Sequence, residues 1–189
     1  EWNEKFYILI QNYSNLTVEN MELDGTNLDK WSLTDGDSYV LSNNSGTVTI
    51  TGATNITANN DGDKAFAFDV CKYANYAVPT VNVNTTGKIT GAIEVSESIS
   101  NNLNISGGTF TVEIEEAWCA DGYIPVKNAD NTWSVVPGKF VAQVNGVKYP
   151  SLEAAVEAAQ AGETVTLLVH ATGAGVVINK DVTIDFNGK

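Results

Sequence analysis

Short alternations of apolar and polar residues fill the first 114 positions. The segments FYILIQN (6–12), LTVENMELDG (16–25), YVLSNN (39–44), TVTITG (47–52), KAFAFDV (64–70), TVNVN (80–84), KITGAIEVS (88–96) and NLNISGGTFTVEI (102–114) are rich in Val, Ile and Thr. A period of two with β-branched residues predicts strands. The intervening stretches, such as Asp24-Gly25, Asn43-Asn44-Ser45-Gly46 and Asn59-Asn60-Asp61-Gly62-Asp63, carry residues that tolerate positive φ and so predict turns. No helical period appears here. Such strands first suggest a sandwich or barrel. Two features point to a solenoid instead. The inward residues are aliphatic and small, which suits a thin core filled by stacked copies. Asparagines also recur at strand ends (Asn12, Asn20, Asn84, Asn104), where stacked copies can ladder their amides. No fixed repeat length aligns the region, so connections between strands must differ in length.

The pattern changes at 115–137, EEAWCADGYIPVKNADNTWSVVP, which reads as an aromatic closing hairpin. Trp118, Tyr123 and Trp133 cluster in it, either as a cover for an open apolar end or as a sugar platform. Residues 138–150 form a second hairpin around Asn145-Gly146, a strong two-residue turn signal. The one clear helix spans 151–161, with Ser151 as N-cap, Glu153 in the first turn and Gly162 as its end. Leu152, Ala155, Val156 and Ala159 share its apolar face. Strands are expected at 164–169, 175–179 and 181–189. The expected organisation is thus strands of one module at 1–114, the hairpin at 115–137, and the start of another module at 138–189.

Charge narrows the function. Ten cations face 23 acidic residues among 189, a net charge of −13, and every cation is a lysine. That balance argues against nucleic acid and anionic membrane surfaces, and the missing arginine excludes bidentate guanidinium chemistry. No run approaches the length of a membrane span, so no insertion is expected. Hydrophobic residues make up 43%, too many for a disordered acidic tail. Cys71 and Cys119 are two thiols or one bridge; their spacing does not choose.

Candidate chemistry sits in the Asp-Gly-Asp turns. Asp35 with Asp37 and Asp61 with Asp63 offer oxygen ligands for calcium, without the ligand order of an EF-hand. A carboxylate pair there would be the raw material for acid–base catalysis. Aspartate in a glycine turn is, however, expected for backbone hydrogen bonding alone. The reading is therefore non-catalytic, with no cofactor.

From Gly107 onward, several segments occur in a telling order. They are Gly107-Gly108-Thr109-Phe110, Ala120-Asp121-Gly122-Tyr123, Asn131-Thr132-Trp133-Ser134-Val135, Val141-Ala142-Gln143-Val144, Tyr149-Pro150-Ser151-Leu152-Glu153-Ala154-Ala155, Ala161-Gly162-Glu163-Thr164-Val165-Thr166-Leu167-Leu168 and Val182-Thr183-Ile184-Asp185-Phe186-Asn187-Gly188-Lys189. This order resembles the junction between tandem modules in large secreted or wall-attached surface proteins of gut Gram-positive bacteria. Those modules resemble right-handed parallel β-helices of the pectate-lyase-like kind. The resemblance implies an all-β, right-handed parallel β-helix (solenoid) with one short capping α-helix, at an extracellular or cell-surface location. β-Helix pectate lyases use an arginine base, which this chain lacks. The function it implies is structural or adhesive display. The alternative is a binding module for host glycan, mucin or immunoglobulin, and a polysaccharide lyase or hydrolase comes third. Neighbouring modules of the same protein are the expected partners, and an isolated fragment is expected to associate head to tail.

Overall fold

The computed structural model describes residues 6–30, 36–173 and 175–189. The chain divides into two compact units, Glu1–Val136 and Pro137–Lys189. In the first unit the chain lays down β1 (Ile8–Asn12), β2 (Leu16–Glu19) and β3 (Glu22–Asp24). There follow β4 (Ser38–Asn43), β5 (Thr47–Gly52) and β6 (Asn55–Thr57), then β7 (Ala65–Val70), β8 (Thr80–Thr85) and β9 (Lys88–Thr90). The set ends with β10 (Ala92–Val95), β11 (Leu103–Ile105) and β12 (Thr109–Phe110), before β13 (Tyr123–Lys127) and β14 (Trp133–Pro137). The second unit holds β15 (Ala142–Val144), β16 (Val147–Tyr149), α1 (Leu152–Ala158), β17 (Thr164–Leu167) and β18 (Thr183–Asp185).

These strands form four sheets, ordered β1-β4-β7-β10, β11-β8-β5-β2, β13-β14-β12-β9-β6-β3 and β16-β15-β17-β18. The first two are parallel throughout. The third runs parallel from β3 to β12 and turns antiparallel at β14. The fourth is antiparallel except where β17 meets β18. The expectation of a right-handed parallel β-helix with a capping helix is therefore corrected: the chain is mostly strands in four separate sheets, parallel and mixed, with one short helix. Tight hairpins are what defeat a wholly parallel arrangement. Asn145 and Gly146, at φ 50° and 83°, are both left-handed, as the turn closing β15 on β16 requires.

Columns of aliphatic residues explain the parallel pairing. Val18, Ile50, Val83 and Ile105 stand in register across the second sheet, and Leu23, Ile56, Ile89 and Phe110 across the third. All eight are buried. Burying each such side chain stabilises the fold by roughly 1.5–3 kcal/mol, and a slip of one residue would expose a whole column. Connections vary in length as expected. Hydrogen-bonded partners lie 31 to 33 residues apart between the first strands, but 22 or 23 apart where β8 meets β11.

In the second unit, Ser151 caps α1 by accepting a 3.0 Å hydrogen bond from the Ala154 N–H. The helix is shorter than expected. Ala159 is already extended, and Gly162, at φ 86°, serves the turn that follows. Ala155, Val156 and Ala159 are buried with Ala142, Val144, Val165 and Leu167. Residues 175–179 are not a strand: Val177 and Ile178 are exposed and outside any ladder. No helix among the described residues is long and apolar enough to cross a membrane.

Candidate functional site: a tyrosine cleft on the first sheet

Asparagine side chains build the corner where the chain leaves the first sheet. Asn12 Nδ2 donates toward Asn43 Oδ1 at 2.8 Å, Ser14 O at 2.6 Å and Ser45 O at 3.0 Å. Asn43 Nδ2 in turn donates to Thr80 O at 2.9 Å. Asn12 and Asn43 are buried, so these amides are satisfied inside the fold, as buried polar groups must be. The expected ladder thus forms between Asn12 and Asn43, and again between Asn104 and Asn82 at 3.2 Å. Asn20 has another task. At φ 52° it separates β2 from β3, and its Oδ1 accepts from the Ala53 N–H.

That corner fixes three tyrosines. Tyr13 follows Asn12 directly. The Tyr73 N–H donates to Asn44 O at 3.2 Å, and the Tyr76 N–H to Tyr73 O at 3.1 Å. Their rings form one group, with centroids 4.9 Å apart for Tyr13 and Tyr76, 6.1 Å for Tyr13 and Tyr73, and 6.4 Å for Tyr73 and Tyr76. They remain 37%, 55% and 50% exposed. Beside them opens a cleft of about 540 Å³ lined by Tyr7, Ile8, Gln11, Tyr13, Asp37, Tyr39 and Tyr73. Tyr39 stacks on Phe66 with centroids 5.0 Å apart, which holds its ring at the wall.

Behind this wall lies a polar row. Gln11 pairs with Ser42 and Asp69 with Glu94, while Ser42 Oγ donates to Asp69 Oδ2 at 3.0 Å. The Asn43 N–H donates to Asp69 Oδ1, and the Tyr39 hydroxyl donates to Glu94 Oε2 at 2.9 Å. Burial pushes the Asp69 carboxyl up to about 7 against those two donors, and the Glu94 charge adds to the shift. Burial first, and Glu94 second, push the Tyr39 hydroxyl upward, so it stays a protonated donor. Asp69, Cys71 and Glu94 bring one ligand atom each within 4.8 Å of one another, the set among the described residues that could gather a metal. Burial raises the Cys71 thiol to about 11, so it is protonated in the metal-free fold. Neither Asp69 nor Glu94 lines the cleft; the carboxylate that does is Asp37.

The residues singled out from sequence lie elsewhere or in other roles. Asp37 joins the cleft and stands 3.6 Å from the Lys64 ammonium. Asp61 pairs with Lys30 at 2.9 Å and precedes a short 3-10 turn, Gly62–Lys64, that contains Asp63. Asp35 lies outside the described residues. The turns therefore hold lysines, and no group of three ligand atoms among the described residues includes the calcium candidates Asp37, Asp61 or Asp63. Trp118, Tyr123 and Trp133 are half-buried against the core of the first unit, in the manner of a cover. Cys71 and Cys119 are both free. The tyrosine group escapes a sequence reading because Tyr13 and Tyr73 meet only through pairing of distant strands. The available signal was the Tyr73-Ala74-Asn75-Tyr76 run, two large rings in a segment with no strand pattern to bury them. In comparisons with known proteins, no family model, no curated protein and no solved structure matches this chain.

Proposed function

We propose that this chain is a non-catalytic binding module of an extracellular surface protein, and that it holds glycan chains against the Tyr13–Tyr73–Tyr76 face. The observation that carries this reading is the group of three exposed tyrosine rings beside the cleft. Saccharides present apolar C–H faces and rings of hydroxyls, and aromatic faces with adjacent polar atoms meet both. Gln11, Asp37 and the tyrosine hydroxyls supply the polar atoms. The extracellular location rests on the resemblance of the 107–189 segments to junctions in wall-attached proteins.

Affinity electrophoresis against a panel of soluble polysaccharides tests the reading. At least one polymer should retard the protein. Tyr73→Ala and Tyr76→Ala should each weaken that retardation about tenfold, since one well-placed ring is worth about 1–1.5 kcal/mol. Both rings are half-exposed, so thermal stability should hardly change. Full retardation of both variants would remove the tyrosine face from the reading.

A further inference from the structure

The charge around the cleft says which glycans it takes. Its charged lining residue is Asp37, whose Oδ1 is buried without a hydrogen-bond partner. Glu94 stands behind it, joined through the Tyr39 hydroxyl, which lies 3.5 Å from Asp37 Oδ2 and 2.9 Å from Glu94 Oε2. Asp69 follows in the same row. Among the described residues, Lys64 lies 3.6 Å from Asp37 Oδ1, outside the lining, and offsets part of that charge. The whole chain adds a net charge of −13.

Resting on the glycan reading above, we infer that the cleft selects uncharged, hydroxyl-rich saccharides and excludes those bearing carboxylate or sulfate. A sugar hydroxyl can donate to Asp37 and gain a charge-assisted hydrogen bond. A uronate, sialate or sulfate group in the same place brings an anion up to the Asp37 carboxylate, where the chain has no arginine to receive it and Lys64 already stands against Asp37. Like charges brought together this way cost affinity and suppress the wrong partner.

The test compares neutral polymers (dextran, glucomannan, xylan, galactan) with acidic ones (polygalacturonate, hyaluronan, heparin, sialylated mucin). Affinity is measured at about 10 mM salt, where the screening length is ~30 Å, and at about 1 M, where it is ~3 Å. At low salt, at least one neutral polymer should bind about tenfold or more tightly than every acidic one, and the gap should narrow at high salt. Glu94→Gln, outside the lining, should narrow it at low salt without loss of neutral binding, and Asp37→Asn should narrow it further, with neutral binding weakened as the charge-assisted hydrogen bond is lost. An acidic polymer that binds wild type as well as the best neutral one overturns the inference and leaves the glycan reading standing. A gap untouched by both variants also overturns it, by placing the exclusion elsewhere. Absence of binding to any polymer overturns the glycan reading and the inference together.

Discussion

Asp69 is an acid whose chemistry departs far from its behaviour in water. Its carboxyl, ordinarily near 3.8, titrates near 7 in the fold because burial penalises the charge. Between about pH 4 and 7 the folded chain therefore binds a proton that the unfolded chain has lost. Stability falls as pH rises through that window and levels off above it, by on the order of 4 kcal/mol in total. Asp69→Asn keeps an acceptor for the Asn43 N–H and removes the titration. Urea unfolding at several pH values should show the variant gaining on wild type steadily from pH 4 to 7. A constant difference would mean that Asp69 ionises in the fold as it does in water. Gly46 presents a second residue-scale constraint. It sits at φ 75°, and a Cβ there would run into the Ser14 backbone. Gly46→Ala should cost more than the ~1–2 kcal/mol of placing an L-residue in the left-handed region, read as a lower denaturation midpoint. The glycine's turn role was legible in Asn43-Asn44-Ser45-Gly46. The burial of Asp69 was not, because an acid inside an alternating strand looks solvent-facing until its neighbours are known.

At the scale of elements, α1 provides the clearest test. Val156 is buried against the fourth sheet, so Val156→Asp would place an unpaired charge there and cost several kcal/mol. Ser151→Ala removes only the cap and should cost about 1 kcal/mol. Thermal melts of the two variants should rank accordingly, and a Val156→Asp protein as heat-stable as wild type would show that the helix packs against nothing. The helix face was readable from the spacing of Leu152, Ala155, Val156 and Ala159, while its end was not, since Ala159 leaves the helix with no breaker beside it. Strand positions were readable for the same reason: alternation is local. The breaks inside the runs depend on backbone conformation. Asn20 at φ 52°, Gly91 at 123° and Gly108 at 109° divide segments that read as single runs in sequence. At 175–179 apolar composition alone misleads, because no neighbouring strand takes up Val177 and Ile178.

At the scale of the whole molecule, sheet assembly is where sequence reading reached its limit. Whether a strand's partner is parallel or antiparallel depends on residues far away, and the hairpins at β13–β14 and β15–β16 make two of the four sheets mixed. The candidate site shares that limit, since it joins residues of β1, β4 and the 71–79 segment. Among the described residues, β1, β2 and β3 are edge strands of three sheets, with Leu9 in β1 and Met21 between β2 and β3 exposed. Unpaired edges template association, and the net charge of −13 opposes it. Light scattering should therefore show mass growing with protein concentration at about 1 M salt, and a monomer at low salt; a monomer under both conditions would mean these edges do not pair. The connections tell a further story. Residues 44–46 join β4 to β5, while residues 71–79, with Tyr73 and Tyr76, make the equivalent step from β7 to β8, yet Thr47 still meets Thr80 and Val48 meets Val81. Lengthening a connection costs only about 0.6 kcal/mol per doubling. The frame and part of the tyrosine face are thus separable: exchanging 71–79 would replace Tyr73 and Tyr76 on an unaltered set of strands, while Tyr13, Asp37 and Tyr39 would stay in and beside β1 and β4.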